Sequence, residues 1–419
     1  MTDRQMLREY ACAKERYASH GVDVEKAVQR ADGIPVSLQC WQGDDVTGFD
    51  SAGALSGGIA ATGNYPGRAR TPLELRQDID FALDLAPGAH KVNLHACYAE
   101  KGGRKADRDA YTIAYFQNWV DWALQKGIGL DFNPTFFSHP RMDGDFSLAS
   151  RDEGTRRFWV EHGKRCREIG LEIAKQLKKP CVVNYWMPDG FKDTCADTLA
   201  PRLRMTKSLD EIFEAPADET LAPCALESKL FGMGVESYTV ASHEYALSYA
   251  LTRKKVYTLD AGHFHPTETI SAKLTALLCF LDRLLLHVSR GVRWDSDHVV
   301  TLDDELQRLM DELLWNGYDA RVFIGLDYFD ASINRAAAWA IGLRNARKAL
   351  LSAALAPAEK IRAAEAGGDY TLRLALLEER KTLPMGAVWN YYCLTRDIPP
   401  DFSWMDKVRA YERTVLAGR

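Results

Sequence analysis

The sequence lacks several features that would assign it to particular classes of protein. No stretch approaches the roughly 20 apolar residues of a membrane span, and the N-terminal segment MTDRQMLREYACAKERYASHG carries acids where a secretion signal would have an apolar core. Basic runs with interleaved aromatic residues are also missing, and 53 Lys and Arg against 58 Asp and Glu give a net charge of −5. Membranes and nucleic acids are therefore not expected partners.

Paired cysteines are missing as well. The nine cysteines are odd in number, none forms a C-x-x-C pair, and several lie inside apolar runs. This pattern favours buried, reduced thiols in a cytoplasmic protein.

What the sequence does contain is a series of eight short apolar runs that finish in polar or aromatic residues. Continuous apolar runs of this length are typical of strands buried on both faces, and the intervening segments are long enough for helices. The sequence therefore predicts an α/β protein, a closed parallel (β/α)₈ TIM barrel with additional N- and C-terminal helices. The runs are PVSLQCW ending at Trp41, KVNLH at His95, GLDFN at Asn133, CVVNYW at Trp186, CALESK at Lys229, VYTLD at Asp260, RLLLH at His287 and RVFIGLD at Asp327.

The segments around the barrel strands give further signals. No repeat or linker interrupts the chain, so we expect one domain over residues 1–419, with a helical extension from about residue 345 to 419 on the barrel or a neighbouring subunit. Thr71, Pro72 and Glu74 form the start signal of a helix. The glycine-rich loop over residues 47–70 is either a lid or subunit contact, or a plain loop.

Histidines collect at the predicted strand ends. Barrel closure brings all eight strand ends to one rim, where such barrels carry their reactive groups. Any one of these histidines could be an ordinary buried polar residue, but the cluster favours a site. Six of the ten histidines lie at or just beyond a strand end: His95, His139, His263, His265, His287 and His298.

Acidic residues join the histidines at the last four strands. Five carboxylates in an apolar rim would be strongly unfavourable without counter-charge, so cations are expected. Oxygen ligands with two imidazoles suit Mn²⁺, Mg²⁺ or Co²⁺, and two ions sharing Asp260 would use every ligand. The alternative is that the acids cap helices, which does fit Asp303 and Asp304. The candidate ligands are Glu227, Asp260, His263, His287, Asp295, Asp297 and Asp327.

The remaining rim residues suit a sugar. Flat apolar walls could come from Trp41, Trp186 and Phe137. Glu227 and Lys229 are two residues apart, so on a continuous strand both side chains would project the same way. A simple ion pair between the two is the alternative to a role in the site. The candidates for binding hydroxyl groups are Gln42, His95, Asn133, Asp189 and Lys229.

Eight motifs between Cys40 and Arg335 are CWQGDDVTGFD, TGNYPG, KVNLHACY, GLDFNPTFFSHP, ESKLFGMGVESYTV, LDAGHFHPTE, LLLHVSRGVRWDSDHVV and GLDYFDASINR, and the tail contains GDYTLRLALLEERKTLP. Together they cover essentially the whole chain and resemble the motifs of the L-rhamnose isomerase family, which is similar to xylose isomerase in fold and metal arrangement. The resemblance implies a cytoplasmic homotetramer that converts L-rhamnose to L-rhamnulose in rhamnose breakdown.

The resemblance also implies roles for particular residues. Mn²⁺ is the favoured ion at two divalent sites, with Co²⁺ or Mg²⁺ as possible substitutes. The structural ion would be held by Glu227, Asp260, His287 and Asp327. The catalytic ion would be held by Asp260, His263, Asp295 and Asp297.

These assignments lead to a mechanism for an aldose–ketose isomerase. Lys229 would hydrogen-bond the sugar O1, and Asp327 would orient or deprotonate a metal-bound water. His95 belongs to both the catalytic and the substrate-binding candidates, and Trp41 and Trp186 join it in binding the sugar. A metal-assisted hydride shift between C1 and C2 is favoured over an enediol route.

Two other functions compete with isomerisation. A barrel metallohydrolase often carries His-x-His at its first strand end, whereas the His-x-His of this chain is His263 and His265 at the sixth strand. A non-catalytic metal-binding protein would not need Lys229 beside the ligands. An assay of the metal-loaded protein for ketose formation and for hydrolysis distinguishes the three hypotheses.

Overall fold

The structure, a computed structural model, describes residues 2–50, 61–229, 236–292 and 296–419. Asp295 and residues 51–60 of the predicted lid therefore lie outside the described residues. Within the described ranges the strands are β1 (Val36–Gln39), β2 (His90–His95), β3 (Gly129–Asn133), β4 (Val183–Trp186), β5 (Gly190–Phe191), β6 (Cys224–Glu227), β7 (Tyr238–Thr239), β8 (Val256–Asp260), β9 (Leu284–Val288) and β10 (Val322–Leu326).

Eight of these strands close a parallel barrel in the order β1-β2-β3-β4-β6-β8-β9-β10, and β10 pairs with β1. Strands β5 and β7 form a separate antiparallel pair. Each predicted apolar run contributes one barrel strand, so the predicted (β/α)₈ architecture is confirmed.

The helices surround the barrel and extend both ends of the chain. Among the described helices, none combines the length and apolarity needed to cross a bilayer. They are α1 (Asp3–Ser19), α2 (Val24–Gly33), α3 (Pro72–Leu83), α4 (Gln117–Lys126), α5 (Glu153–Leu177), α6 (Leu199–Phe213), α7 (His243–Arg253), α8 (Ser271–Leu278), α9 (Asp304–Trp315), α10 (Arg335–Ala354), α11 (Ala358–Ala366), α12 (Tyr370–Glu379), α13 (Met385–Leu394) and α14 (Trp404–Thr414).

Several strands are buried along their whole length but are not apolar on both faces. Every residue of β1 and β3 is buried, and polar residues alternate with apolar ones along both. Side chains alternate between the two faces of a strand. Leu38, Leu130 and Phe132 belong to the main apolar core, and the alternate positions place Gln39 and Asp131 on the opposite face. The barrel interior is therefore polar at these strands.

Two strands end earlier than the apolar runs predict. Strand β1 ends at Gln39, and Cys40–Gln42 forms a 3₁₀ turn that carries Trp41. Strand β6 ends at Glu227, so the two-residue period does not continue to Lys229. Trp41 consequently lies on a turn and Lys229 two residues beyond its strand, both at the rim of the barrel.

The helix start signals work largely as expected. Thr71 caps α3, and its hydroxyl accepts a hydrogen bond from the Glu74 backbone N–H at 3.2 Å. The Glu74 carboxylate accepts from the backbone N–H of Arg70 at 2.8 Å instead of that of Thr71. Asp303 caps α9 and accepts from the Leu306 N–H at 2.9 Å, so its predicted structural role is confirmed.

The C-terminal helices pack on other helices of the same chain. The Tyr392 hydroxyl of α13 donates to Asp32 at 2.7 Å. The Arg344 guanidinium of α10 donates to the carbonyl oxygens of Leu85 at 2.8 Å and Pro399 at 3.1 Å. These contacts tie the tail to α2 and to the end of α3.

The described flanks of the loop over residues 47–70 are fixed to the barrel and the tail. The Tyr65 hydroxyl donates to Glu412 at 2.6 Å, and Arg335 forms an ion pair with Asp45 at 2.7 Å. Gly48 has a φ of 69°, and a Cβ there would lie 2.8 Å from the Cys97 carbonyl oxygen. A glycine is therefore needed where this loop crosses the end of β2.

Asp44 is a buried acid at the root of this loop. Its carboxylate accepts hydrogen bonds from the Tyr98 hydroxyl at 2.6 Å and from the Gly48 N–H at 2.7 Å. Burial raises the pKa of Asp44 to about 7, although both hydrogen bonds oppose that rise. The folded protein therefore binds a proton here more tightly than the unfolded chain does.

This raised pKa predicts a pH-dependent stability. Between an unfolded pKa near 3.8 and a folded pKa of about 7, the folded state holds the extra proton, so stability falls as pH rises, by about 1.4 kcal/mol per unit. Asp44→Asn cannot ionise, so its stability relative to the parent should rise from pH 5 to pH 7 and then level off. Urea unfolding of both proteins from pH 5 to pH 8 measures this difference. A free-energy difference between the two proteins that stays constant across this pH range would contradict the prediction.

Candidate active site

The site lies where the barrel strands end at their C-terminal side. Four side chains meet there from β6, β8, β9 and the residue after β10. One ligand atom from each lies within 4.8 Å of every other, and the four are Glu227, Asp260, His287 and Asp327. We refer to them as the four-residue cluster. They are the residues that the family resemblance assigns to one ion.

One imidazole nitrogen is the centre of this cluster. The Nδ1 of His287 lies 3.3 Å from Glu227 Oε1, 3.6 Å from Asp260 Oδ2 and 3.1 Å from Asp327 Oδ2. Among the described residues, Asp260 Oδ2 and His287 Nε2 are buried and have no hydrogen-bond partner. Buried carboxylates around an imidazole, two of whose polar atoms have no hydrogen-bond partner, fit the oxygen and nitrogen ligand set of a divalent cation.

Charge and burial compete at the cluster. Burial alone would lower the pKa of His287, but the Glu227 and Asp327 carboxylates raise that pKa well above its usual value. Burial alone would raise the pKa of Asp260, yet the His263 and His287 imidazoles bring it down to about 2. Burial raises the pKa of Glu227 against the effect of His287. The cluster thus favours anionic Asp260 beside positive charge.

Neighbouring side chains orient two of the cluster carboxylates. The Asn184 amide donates to Glu227 Oε2 at 2.6 Å, and the Thr258 hydroxyl donates to Asn184 Oδ1 at 2.7 Å. The indole N–H of Trp41 donates to Asp327 Oδ1 at 3.1 Å. Such partners fix the direction in which a carboxylate presents its free oxygen.

His263 lies next to the cluster. Its Nε2 is 3.8 Å from Asp260 Oδ2, and its side chain is buried. Burial would lower the pKa of His263, but Asp260, Glu227 and Asp297 raise it. The negative charge of Asp297 thus adds to that of Asp260 and Glu227 in favouring the protonated form of His263. The fourth residue predicted to hold the catalytic ion, Asp295, lies outside the described residues.

Four aromatic rings form a continuous wall along the rim. The ring centroids of Trp41 and His95 are 4.9 Å apart, those of His95 and Phe137 are 5.6 Å apart, and those of Phe137 and Trp186 are 5.6 Å apart. The wall begins at Trp41, which is bonded to Asp327. It ends at Trp186, over whose ring the Lys229 Nζ lies at 6.0 Å. The predicted sugar-binding residues are thus brought together.

His95 stands in this wall as a neutral imidazole. Burial lowers the pKa of His95 to about 3, and the nearby Arg108 charge adds to that effect. Its ring nitrogens contact the Asn133 amide at 3.2 Å and the Thr135 hydroxyl at 3.4 Å. A neutral ring can exchange hydrogen bonds with sugar hydroxyls without adding charge beside the cluster.

Lys229 does not pair with Glu227, contrary to one sequence-based possibility. Its Nζ lies 2.6 Å from Glu236 Oε1 and donates to the Pro188 carbonyl at 3.1 Å. Both side chains of this pair are almost fully buried. The strand ends at Glu227, and the backbone N–H of Lys229 donates to the Ala241 carbonyl at 2.9 Å, with the amine beside the Trp186 ring of the aromatic wall.

Other predicted rim residues have structural partners instead. The Asp189 carboxylate, a candidate for binding hydroxyl groups, accepts from the backbone N–H groups of Ser147 and Ala149, both at 2.8 Å. The Gln42 amide donates to the Asp330 carbonyl at 2.9 Å and accepts from the Asp330 backbone N–H at 2.7 Å. His139 contacts Asp107 at 2.8 Å, away from the four-residue cluster.

Two residues beside the site were not predicted from the sequence. Glu236 lies in the motif ESKLFGMGVESYTV, and the need of a buried lysine for a counter-charge is the signal that could have predicted it. Arg108 lies outside every strand end and gave no signal, because its contacts with the rim arise only in the folded chain.

Comparison with known proteins places the chain in a family. The family model described as L-rhamnose isomerase (RhaA) matches residues 4–419. Among solved structures, one of L-ribulose 3-epimerase is 12% identical, covering 79% of this chain and 96% of its own, with a TM-score of 0.48, a likeness too low to carry an inference.

Relatives named L-rhamnose isomerase match along nearly the whole chain. The relative from Rhodopirellula baltica is 55% identical over 98% of this chain and 96% of its own length. That from Mannheimia succiniciproducens is 54% identical, covering 98% of both chains. That from Salmonella paratyphi A is 52% identical over 99% of both. The chain therefore belongs to the L-rhamnose isomerase family and is an enzyme of the aldose–ketose isomerase class.

Proposed function

We propose that this chain interconverts L-rhamnose and L-rhamnulose in L-rhamnose degradation in the cytoplasm, with two divalent cations of which Mn²⁺ is the preferred ion. The observation that carries the proposal is the placement of the four-residue cluster at one end of the aromatic wall and of the Lys229 ammonium at the other. Because the barrel is closed, the wall curves along the rim from β1 to β4, and a sugar enclosed by it would meet both the ligand oxygens and the Lys229 ammonium.

The residues that would hold the ions form two sets sharing Asp260. Glu227, Asp260, His287 and Asp327 would hold one ion, and Asp260, His263, Asp295 and Asp297 would hold the second. When bound, a divalent ion polarises the sugar carbonyl as a Lewis acid. Carboxylates and imidazoles, without thiolates, favour Mn²⁺, Co²⁺ or Mg²⁺.

Asp327 is the cluster acid suited to move a proton. Its side chain is 19% exposed, against 4% for Glu227 and 1% for Asp260. The more exposed carboxylate is the one that can reach a sugar hydroxyl, so Asp327 would accept the proton from O2 and return it to O1. The indole N–H of Trp41 holds its other oxygen during this exchange.

Lys229 and the wall would position the open-chain sugar. Negative charge develops on O1 as hydrogen arrives at C1, and an ammonium fixed in a buried position stabilises that charge. Trp41 and Trp186 would cover the apolar face of the sugar, and His95 would hydrogen-bond its hydroxyl groups.

The favoured route moves the C2 hydrogen to C1 with its electron pair, while the O2 proton moves to O1. The test supplies C2-deuterated L-rhamnose to Mn²⁺-loaded protein. Deuterium should be retained at C1 of the L-rhamnulose formed; its loss to solvent would indicate the enediol route. Ester or amide hydrolysis without ketose formation would contradict the proposed function and support the metallohydrolase.

We also propose that the chain assembles as a homotetramer through a surface that includes α12. None of the residues of this helix is buried. Leu372 and Leu374 expose 47% and 59% of their surface, and Tyr370, one helical turn before Leu374, exposes 60%. Tyr370 and Leu374 share one face of α12 and Leu372 lies on another. Exposed apolar side chains of this size on a helix without buried residues favour a surface covered by another chain.

Replacing both leucines tests this surface. Leu372→Glu with Leu374→Glu should lower the solution mass from four chains to two or one, because each lost leucine contact is worth about 1.5 to 3 kcal/mol and the new charges add repulsion. Light scattering during size-exclusion chromatography gives the mass. The matched control is Leu124→Glu on α4, a single leucine that is 51% exposed. An unchanged mass for the double variant would remove α12 from the interface.

A further inference from the structure

Arg108 is a buried charged residue beside the rim that the proposed mechanism does not use. Its side chain is 1% exposed and pairs with Asp50, which is 2% exposed, at 2.8 Å. The same guanidinium donates to the carbonyl oxygens of Thr135 at 2.8 Å and Phe137 at 2.6 Å. It therefore connects the root of the loop over residues 47–70 to the turn after β3.

The turn held by Arg108 is conformationally unusual. Ser138 has a φ of 52°, a left-handed conformation that costs energy for a residue with a side chain. Its carbonyl faces the Arg108 guanidinium at 3.5 Å. Three carbonyl groups of this short segment, those of Thr135, Phe137 and Ser138, thus face one planar guanidinium.

This turn also carries the middle of the aromatic wall. Phe137 is the ring between His95 and Trp186, at 5.6 Å from each. Thr135 contacts His95 through its hydroxyl at 3.4 Å, and its backbone N–H donates to His162 at 3.0 Å. Movement of the turn would thus displace Phe137 and loosen His95 together.

Asp50 fixes the other side of Arg108. The Tyr111 hydroxyl donates to Asp50 at 3.1 Å. The backbone N–H groups of Phe49 and Asp50 donate to the Cys97 carbonyl at 2.7 and 3.0 Å. Because Cys97 follows His95 by two residues, Arg108 is anchored to the end of β2 while it holds the turn after β3.

We propose that Arg108 is a positioning residue that sets Phe137, and through it the sugar-binding wall, by clamping the turn over residues 135–138 against Asp50. The proposal rests on the proposed sugar isomerisation. Arg108 acts on binding through Phe137, so its effect should appear in KM more than in kcat.

The test is a double-mutant cycle on Mn²⁺-loaded protein with L-rhamnose. Arg108→Lys keeps the charge opposite Asp50 but loses the fork that reaches several carbonyls. KM should rise by roughly tenfold, with kcat changed by less than about threefold. Phe137→Ala alone should raise KM similarly. The double variant should be no worse than the worse single variant, because both changes remove the same positioned ring.

A matched control separates positioning from general stability. Arg344 is also a buried arginine, 2% exposed, and its guanidinium donates to the carbonyls of Leu85 at 2.8 Å and Pro399 at 3.1 Å. Arg344→Lys should lower the melting temperature as Arg108→Lys does, yet leave KM unchanged. Combined with Phe137→Ala, it should likewise leave the raised KM of Phe137→Ala as it is.

The outcomes separate this inference from the proposed function. An unaltered protein that forms no ketose would overturn both. An active unaltered protein with an unchanged KM for Arg108→Lys, or with effects that multiply in the double variant, would overturn the inference alone. If Arg108→Lys does not fold, the same cycle with Asp50→Asn decides, since that variant keeps the shape of the acid and removes the charge that holds Arg108.

Discussion

Removing divalent cations with EDTA is expected to abolish ketose formation from L-rhamnose, and Mn²⁺ is expected to restore it. The expectation rests on the four-residue cluster, where three carboxylates surround His287 Nδ1 at 3.1 to 3.6 Å. A Lewis acid at a developing oxyanion is worth several kcal/mol. Since about 1.4 kcal/mol is tenfold in rate, turnover of the stripped protein should fall by about 10³-fold or more.

Substitutions within and outside the cluster provide the control for this result. Asp260→Asn removes the carboxylate shared by both proposed ions, and titration calorimetry should then detect a loss of Mn²⁺ affinity of at least about 100-fold. Asp311→Asn removes an equally buried carboxylate on α9, which pairs with Arg380 at the end of α12, and should leave Mn²⁺ binding unchanged. Full turnover in protein shown to be metal-free by elemental analysis would contradict the prediction.

The barrel could be predicted because each strand carries its own local signal. The run VYTLD, for example, combines β-branched and apolar residues and becomes β8, Val256–Asp260, with every residue buried. The strand ends were harder to place. Nothing in the letters PVSLQCW distinguishes the last strand residue, Gln39, from Trp41 on the turn that follows, because hydrophobicity continues across the boundary.

The cluster could be predicted because barrel topology converts sequence position into spatial position. Glu227, Asp260 and His287 each occupy or precede the last position of a strand, and parallel strands end on the same side. The partner of Lys229 could not be predicted in this way. Glu236 is seven residues away in a loop, and no periodicity relates the two positions. Arg108 is a similar case, since its targets are backbone carbonyls, which every residue has.

Lys229→Met is expected to lower kcat by roughly two or more orders of magnitude in folded, metal-loaded protein. Methionine keeps the apolar stem and removes the ammonium that would stabilise charge on O1 in the transition state, and removal of one preorganised donor has about this effect. KM should change much less, because the neutral aldehyde gains little from the ammonium before charge develops. Single-turnover rates and metal content are measured on the same preparation.

The buried partner of Lys229 allows the structural explanation to be tested directly. Lys229→Met alone removes the cation that lies 2.6 Å from the Glu236 carboxylate, which is 8% exposed, and removing one partner of a buried ion pair destabilises a protein by about 3 to 5 kcal/mol. Adding Glu236→Gln removes that charge and should restore the melting temperature. If Lys229 serves only the ion pair, the double variant regains turnover together with stability. If Lys229 acts at O1, stability returns while kcat stays low. Near-normal turnover per metal-loaded site in either variant would exclude Lys229 from the reaction.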